Sequence, residues 1–128
     1  MRYAVFSDIH CNFPALKAAL YDALQQDIDA LIFAGDYLND QPYVNETLDL
    51  IFSQKNAYTI SGNRDISALN CSAELLKSAQ FAASRCCLEL ISTKICAGLK
   101  RCRPRFRLKH RTENQAYGFA TTPTICET

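Results

Sequence analysis

At 128 residues, 48% of them hydrophobic and 21% charged, the chain has the size and balance of a single globular domain spanning 1–128, which excludes a disordered or low-complexity polypeptide. No apolar run approaches the roughly 20 residues that cross a bilayer, and Asp8 interrupts the apolar stretch after Arg2 too early for a signal peptide, so a cytoplasmic protein is expected. The net charge of +1 hides an asymmetry: residues 1–70 carry four Lys or Arg against nine Asp or Glu, and residues 71–128 carry ten against four, an acidic half suited to cations.

The first apolar run, Tyr3 to Phe6, is short and rich in β-branched or aromatic residues, as a strand buried on both faces should be. It ends in Ser7-Asp8-Ile9-His10-Cys11-Asn12. A first helix is expected from near Pro14, with Asn12 as its cap and proline tolerated in the first turn. Leu16, Ala19, Leu20, Ala23 and Leu24 then recur at helical spacing. A second strand, Ala30 to Ala34, ends in Gly35-Asp36. A second helix should run from near Pro42 to about Gln54, turning Val44, Leu48, Ile51 and Phe52 towards the sheet. The third strand, Ala57 to Ile60, ends in Gly62-Asn63-Arg64-Asp65.

Residues 1–61 thus read β-α-β-α-β, an α/β arrangement of parallel strands joined by right-handed crossovers. A third helix is expected over about Ala73 to Ser92 and a shorter one over Thr93 to Arg101. After Pro104 the period changes. Phe106 and Leu108 alternate with Arg105, Arg107 and Lys109, and a turn at Thr112-Glu113-Asn114 precedes Tyr117 and Phe119, the pattern of a C-terminal β-hairpin added to the sheet. Tyr21, Phe33, Phe52 and Tyr58 fall on expected core faces. Tyr37 and Asn39, in the loop after Asp36, read as loop residues, with contact to a substrate as the alternative.

Seven cysteines make an odd number with no secretory context, and none forms a Cys-x-x-Cys pair, which argues against both a disulfide framework and structural zinc. Cys86 and Cys87, inside an apolar stretch, are expected to be small buried hydrophobes. Seven of the twelve residues from Lys100 to Arg111 are basic. Along a strand the odd-numbered ones from Arg103 would share a face and could track phosphates of a nucleic acid. A solvated stripe guarding a sheet edge is the simpler reading.

The three polar motifs share a position, each following a strand. Asp8 to Asp36 spans 28 residues and Asp36 to Asn63 spans 27, one βα unit each time. In an open α/β sheet the ligand crevice lies outside the carboxyl ends of the strands, so Asp8, His10, Asp36 and Asn63 should converge on one rim. Singly each signal is weak, since Gly-Asp is commonplace in turns. Together they offer carboxylate oxygens, an imidazole nitrogen and an amide oxygen, a set that favours Mn²⁺, Fe²⁺ or Zn²⁺ over Ca²⁺. Asp36, with two oxygens, could bridge two ions that clamp a phosphate and activate a water. Gly35 and Gly62 would allow sharp turns and leave room for substrate.

Through Ser7-Asp8-Ile9-His10-Cys11-Asn12 with Ala15-Leu16, Ala34-Gly35-Asp36 and Gly62-Asn63-Arg64-Asp65, the chain resembles the calcineurin-like metallophosphoesterases, closest to their small prokaryotic phosphodiesterase branch. The resemblance is strong to about residue 70 and looser beyond. It implies an α/β sandwich, here incomplete, and hydrolysis of phosphomonoesters or phosphodiesters by a metal-bound hydroxide at a dinuclear site. By matching motif, Asp8 and His10 would bind one metal, Asp36 would bridge, and Asn63 would bind the other. The chain departs from the family in its later ligands: only His10 and His110 are histidines, and Thr121-Thr122 stand where a histidine strand end is expected. Arg64 occupies a position that is often histidine. Arginine stays charged and cannot act as a general acid, but it can hold a phosphate bidentately.

The expected function is therefore metal-dependent hydrolysis of a phosphate ester or nucleotide. Asn63 and Arg64 act on the reacting phosphate, and Asn12 and Arg64 bind substrate. The cofactor is Mn²⁺, with Fe²⁺, Zn²⁺ or Mg²⁺ as alternatives, at two sites in the family and one here. The alternative is a non-catalytic, shortened homologue that binds a metal or a partner, including a second copy through an exposed sheet edge.

Overall fold

The computed structural model describes residues 1–38, 41–70, 77–78 and 82–102. Three parallel strands, β1 (Tyr3–Phe6), β2 (Ala30–Phe33) and β3 (Ala57–Thr59), lie in the order β1-β2-β3. The register sets Tyr3 beside Ala30 and Phe6 beside Phe33, then Leu31 beside Ala57 and Phe33 beside Thr59. Between the strands come α1 (Phe13–Leu24) and α2 (Val44–Phe52). Three further helices follow: α3 (Asn63–Asn70), α4 (Ala82–Leu90) and α5 (Thr93–Arg101). Two successive crossovers of one hand, stepping in one direction across the sheet, leave their helices on the same face, and α1 does pack against α2.

That face holds the core. Leu31 and Phe33 of β2 meet Leu16 and Leu20 of α1 and Val44, Leu48 and Ile51 of α2, with Ile95 and Leu99 of α5 completing the cluster. Phe6 stacks on its register partner Phe33 at 5.3 Å. Alternation puts Tyr3, Val5, Ile32 and Tyr58 on the opposite face. There Val5 is 63% exposed, so only β2 is buried along its whole length, and the expectation of strands buried on both faces fails for β1 and β3.

Local chemistry explains the helix ends. The Asn12 side chain accepts the Ala15 N–H at 3.2 Å and Pro14 sits in the first turn of α1, as expected. Helix α2 is shorter at both ends than Pro42 to Gln54. Asn45 ties it to the turn between α4 and α5, donating to the Leu90 carbonyl and accepting from the Ser92 N–H, both at 2.8 Å. Ser92 in turn caps α5 through the Ile95 N–H. A Cβ on Gly98 of α5 would lie 2.8 Å from the Phe52 ring, so the ring packs against bare backbone.

Several expectations need correction. Helix α3 was not anticipated, because Asn63-Arg64-Asp65-Ile66-Ser67 shows no apolar period. The long third helix is confined, among described residues, to Ala82–Leu90. The buried stripe of α1 is only Leu16 and Leu20; Ala19, Tyr21 and Leu24 are exposed. Phe33 is in the core, whereas Phe52 and Tyr58 are half-buried. Cys87 is buried but Cys86 is exposed, the two being 100° apart on α4. Lys100 and Arg101 do fall, as expected, in the last turn of the helix ending at Arg101, where positive charge suits the helix dipole. The hairpin after Pro104, the remaining basic residues to Arg111, His110 and Asn39 lie outside the described residues.

Candidate metal centre

Two loops at the carboxyl ends of β1 and β2 run side by side, joined by backbone bonds from Asp8 N–H to Gly35 C=O (3.2 Å), His10 N–H to Asp36 C=O (3.0 Å) and Cys11 N–H to Tyr37 C=O (2.7 Å). Along them Asp8, His10, Cys11 and Asp36 have φ between 49° and 57°, and Gly35 has φ 95°. A left-handed backbone costs an L-residue on the order of 1–2 kcal/mol, and such strain gathers where surrounding structure serves a site. Three of the four non-glycine positions are the residues whose side chains could hold a metal.

Those side chains converge. Asp8, His10 and Asp36 offer ligand atoms that all lie within 4.8 Å of one another. Ser7 Oγ donates to Asp8 Oδ2, leaving Oδ1 facing His10 Nε2 at 3.9 Å. That is too long for a hydrogen bond. Two ligands each about 2.0–2.2 Å from one ion can stand as far apart as this. His10 Nδ1 lies 3.2 Å from the Leu38 carbonyl, which can only accept, so Nδ1 is the donor of that contact and Nε2 is the ring nitrogen left to face the carboxylates. Holding a ligating imidazole by its other nitrogen is the usual outer-shell device at metal sites. The donor set of two carboxylates and an imidazole nitrogen therefore fits a divalent ion of the Mn²⁺, Fe²⁺ or Zn²⁺ kind.

Asp36 is held by a residue to which sequence reasoning gave no role. Asp65 is fully buried. Its Oδ2 accepts the N–H groups of Asp36 and Gly62, both at 2.9 Å, and its Oδ1 accepts those of Tyr37 (3.0 Å) and Leu38 (3.1 Å). Burial pushes the Asp65 carboxyl above its ordinary range; the N–H bonds from Gly62, Leu38 and Tyr37 pull it back, and the Asp36 charge adds to the rise. A signal was available. Gly62 precedes α3 and Asp65 is its third residue, so the Asp65 bond to the Gly62 N–H is one half of a capping box.

The two glycines are required by close approach. A Cβ on Gly35 would lie 2.2 Å from the Gly62 nitrogen, and one on Gly62 would lie 2.0 Å from Asp36 Oδ1. The space they clear is taken by each other and by the Asp36 carboxylate, rather than being left for substrate. Asp36 Oδ1 also accepts the Arg64 N–H at 2.9 Å, which fixes the carboxylate against the start of α3. Tyr37 is a loop residue, as expected, but one turned into the core. It is wholly buried, its hydroxyl donates to the Ile60 carbonyl at 2.6 Å with the Phe33 carbonyl at 2.9 Å, and burial drives its phenol far above the usual value.

The other anticipated residues stand around this cluster in different ways. Asn63 and Arg64 are exposed at the first turn of α3, beside Asp36 through the Arg64 N–H bond. Asn12 is exposed and its Oδ1 is engaged in capping α1, so a role towards substrate would fall to its Nδ2.

The sequence profile of the calcineurin-like phosphoesterases matches residues 1–116. The chain belongs to this family. No curated protein sequence matches it. Among solved structures, it is similar to a metallophosphoesterase from Sphaerobacter thermophilus, with a TM-score of 0.63 and 21% sequence identity. That match covers 84% of this chain and 43% of the other, so the chain spans less than half the length of its structural neighbour. At that identity the likeness supports the calcineurin-like phosphoesterase fold, and the Asp8, His10 and Asp36 cluster lies within the family match.

Proposed function

We propose that this calcineurin-like phosphoesterase chain is a metal-dependent hydrolase of phosphate esters, working at the rim that carries Asp8, His10 and Asp36. The observation that carries the reading is the orientation of His10. Its Nδ1–H is spent on the Leu38 carbonyl, and Nε2 is turned towards the carboxylates.

Asp8, His10 and Asp36 would hold a divalent ion, Mn²⁺ by donor type, with Fe²⁺, Zn²⁺ or Mg²⁺ as alternatives. Asp36 would bridge to a second ion that Asn63 helps to bind through its amide oxygen. When bound, such ions supply Lewis acidity towards a phosphoryl oxygen and a nucleophile at neutral pH. The chain's own contribution is placement. Arg64 grips the equatorial oxygens bidentately and offsets charge as the leaving oxygen departs. Asn12 adds an amide donor to the same phosphate. Arg64 cannot give the leaving group a proton, so that proton comes from water, and esters with acidic leaving groups are the favoured substrates.

The test is Mn²⁺-dependent hydrolysis of bis(4-nitrophenyl) phosphate and 4-nitrophenyl phosphate by the purified chain, beside Asp36→Asn and His10→Ala. Turnover that falls to the metal-free background in both variants is the expected result. Equal turnover in variants and parent would place the chemistry elsewhere. No turnover from a folded parent that still binds Mn²⁺ would leave the second reading, a metal-binding homologue without catalysis.

A further inference from the structure

Cys11 lies between His10 and Asn12 in the loop after β1 and is fully buried; Cys87, on α4, is 3% exposed. Their Sγ atoms are 3.7 Å apart across 76 positions of sequence. Among the described residues Cys86, Cys96 and Cys102 are the other cysteines, and Cys86 points outward from the same helix. We propose that Cys11 and Cys87 form a reversible disulfide that ties the His10 loop to α4.

The geometry is close to what the bond needs. Closing from 3.7 Å to an S–S distance of about 2.05 Å requires roughly 1.7 Å of approach. Both residues already sit in one core cluster, so the approach is local. Two S–H bonds break, one S–S bond forms, and two electrons and two protons leave. With a peroxide as oxidant, its O–O bond breaks and two waters are released. A thiol reductant reverses the reaction by exchange. Burial of both sulfurs restricts the site to small oxidants and slows it relative to an exposed thiol such as Cys86.

The bond would reach the metal rim. Cys11 adjoins His10, both have left-handed backbones, and both are strapped to the neighbouring loop through the Asp36 and Tyr37 carbonyls. Drawing Cys11 towards α4 works against those bonds and displaces His10 Nε2 from the carboxylates. This coupling rests on the metal reading given above; the cross-link itself does not.

The experiment treats the full chain with hydrogen peroxide, traps remaining thiols, and maps disulfides by non-reducing peptide mass spectrometry. Mn²⁺ affinity is measured by titration before oxidation, after it, and after dithiothreitol. The expected result is a Cys11–Cys87 cross-link that persists in Cys86→Ala and disappears in Cys87→Ala. Mn²⁺ affinity should weaken severalfold on oxidation and return on reduction. Cys11 and Cys87 both recovered as trapped thiols, or Cys11 joined to another cysteine, would overturn the proposal. A cross-link with unchanged Mn²⁺ affinity would overturn the coupling. Failure of the reduced chain to bind Mn²⁺ would overturn the metal reading while leaving the cross-link to be judged by mapping alone.

Discussion

The carboxylate of Asp65 accepts four backbone N–H groups, two on each oxygen, from the segment that carries Asp36 and the one that opens α3. An amide in its place has one accepting atom. Whichever way it is turned, Asp65→Asn sets an NH₂ group against two buried N–H donors. Each unsatisfied buried donor costs about 1–3 kcal/mol, so the variant should lose roughly 3 kcal/mol, read from the urea midpoint at unchanged m-value. A loss below about 1 kcal/mol would mean that Asp65 does not knit the rim together. The convergence of Asp8, His10 and Asp36 was legible because residue types able to hold a metal are few in kind and follow the ends of two adjacent parallel strands. The buried role of Asp65 was not, because in sequence an aspartate beside an arginine reads as solvated polarity. Tyr37 was hidden for the same reason: nothing local says that a residue after Gly-Asp turns inward to set its hydroxyl between the Phe33 and Ile60 carbonyls.

At the scale of elements, strands and caps were readable where local chemistry decides them. Tyr3–Phe6 and Thr93–Arg101 have the anticipated limits, and Asn12 caps α1. Failures arose where neighbours decide. Helix α3 has almost no apolar stripe and is held by its N-terminal hydrogen bonds, so periodicity could not show it. Tyr21 and Leu24 continue the apolar spacing of α1 past the layer they were expected to meet. The contrast is measurable. Leu48 on α2 is fully buried, and Leu48→Ala should destabilise by about 2–5 kcal/mol through lost transfer energy and the cavity left. Leu24→Lys, at a position 53% exposed, should stay within about 0.5 kcal/mol of the parent in the same denaturation. Comparable losses at both positions would contradict the assignment of α1's inner face.

For the whole molecule, the sheet's arrangement explains why the site sits where it does. Parallel strands deliver all three carboxyl ends to one rim, and the two loops after β1 and β2 are joined there by backbone bonds under left-handed strain. The family match spans residues 1–116, while the chain covers 43% of its structural neighbour, whose remaining length has no counterpart among these residues. No helix among the described residues is long and apolar enough to cross a membrane. The central claim is that Asp8, His10 and Asp36 form one metal centre in the folded chain and no such centre in the unfolded one. An ion bound only by the native state stabilises it by RT ln(1 + [L]/Kd), about 2.7 kcal/mol at a hundredfold excess over Kd. The most direct measurement is therefore thermal unfolding of the parent and of Asp36→Asn, each metal-free and in excess Mn²⁺. The account predicts a rise of roughly 5–10 °C in the parent and little or none in the variant. An equal rise in both, or none in the parent, would contradict it.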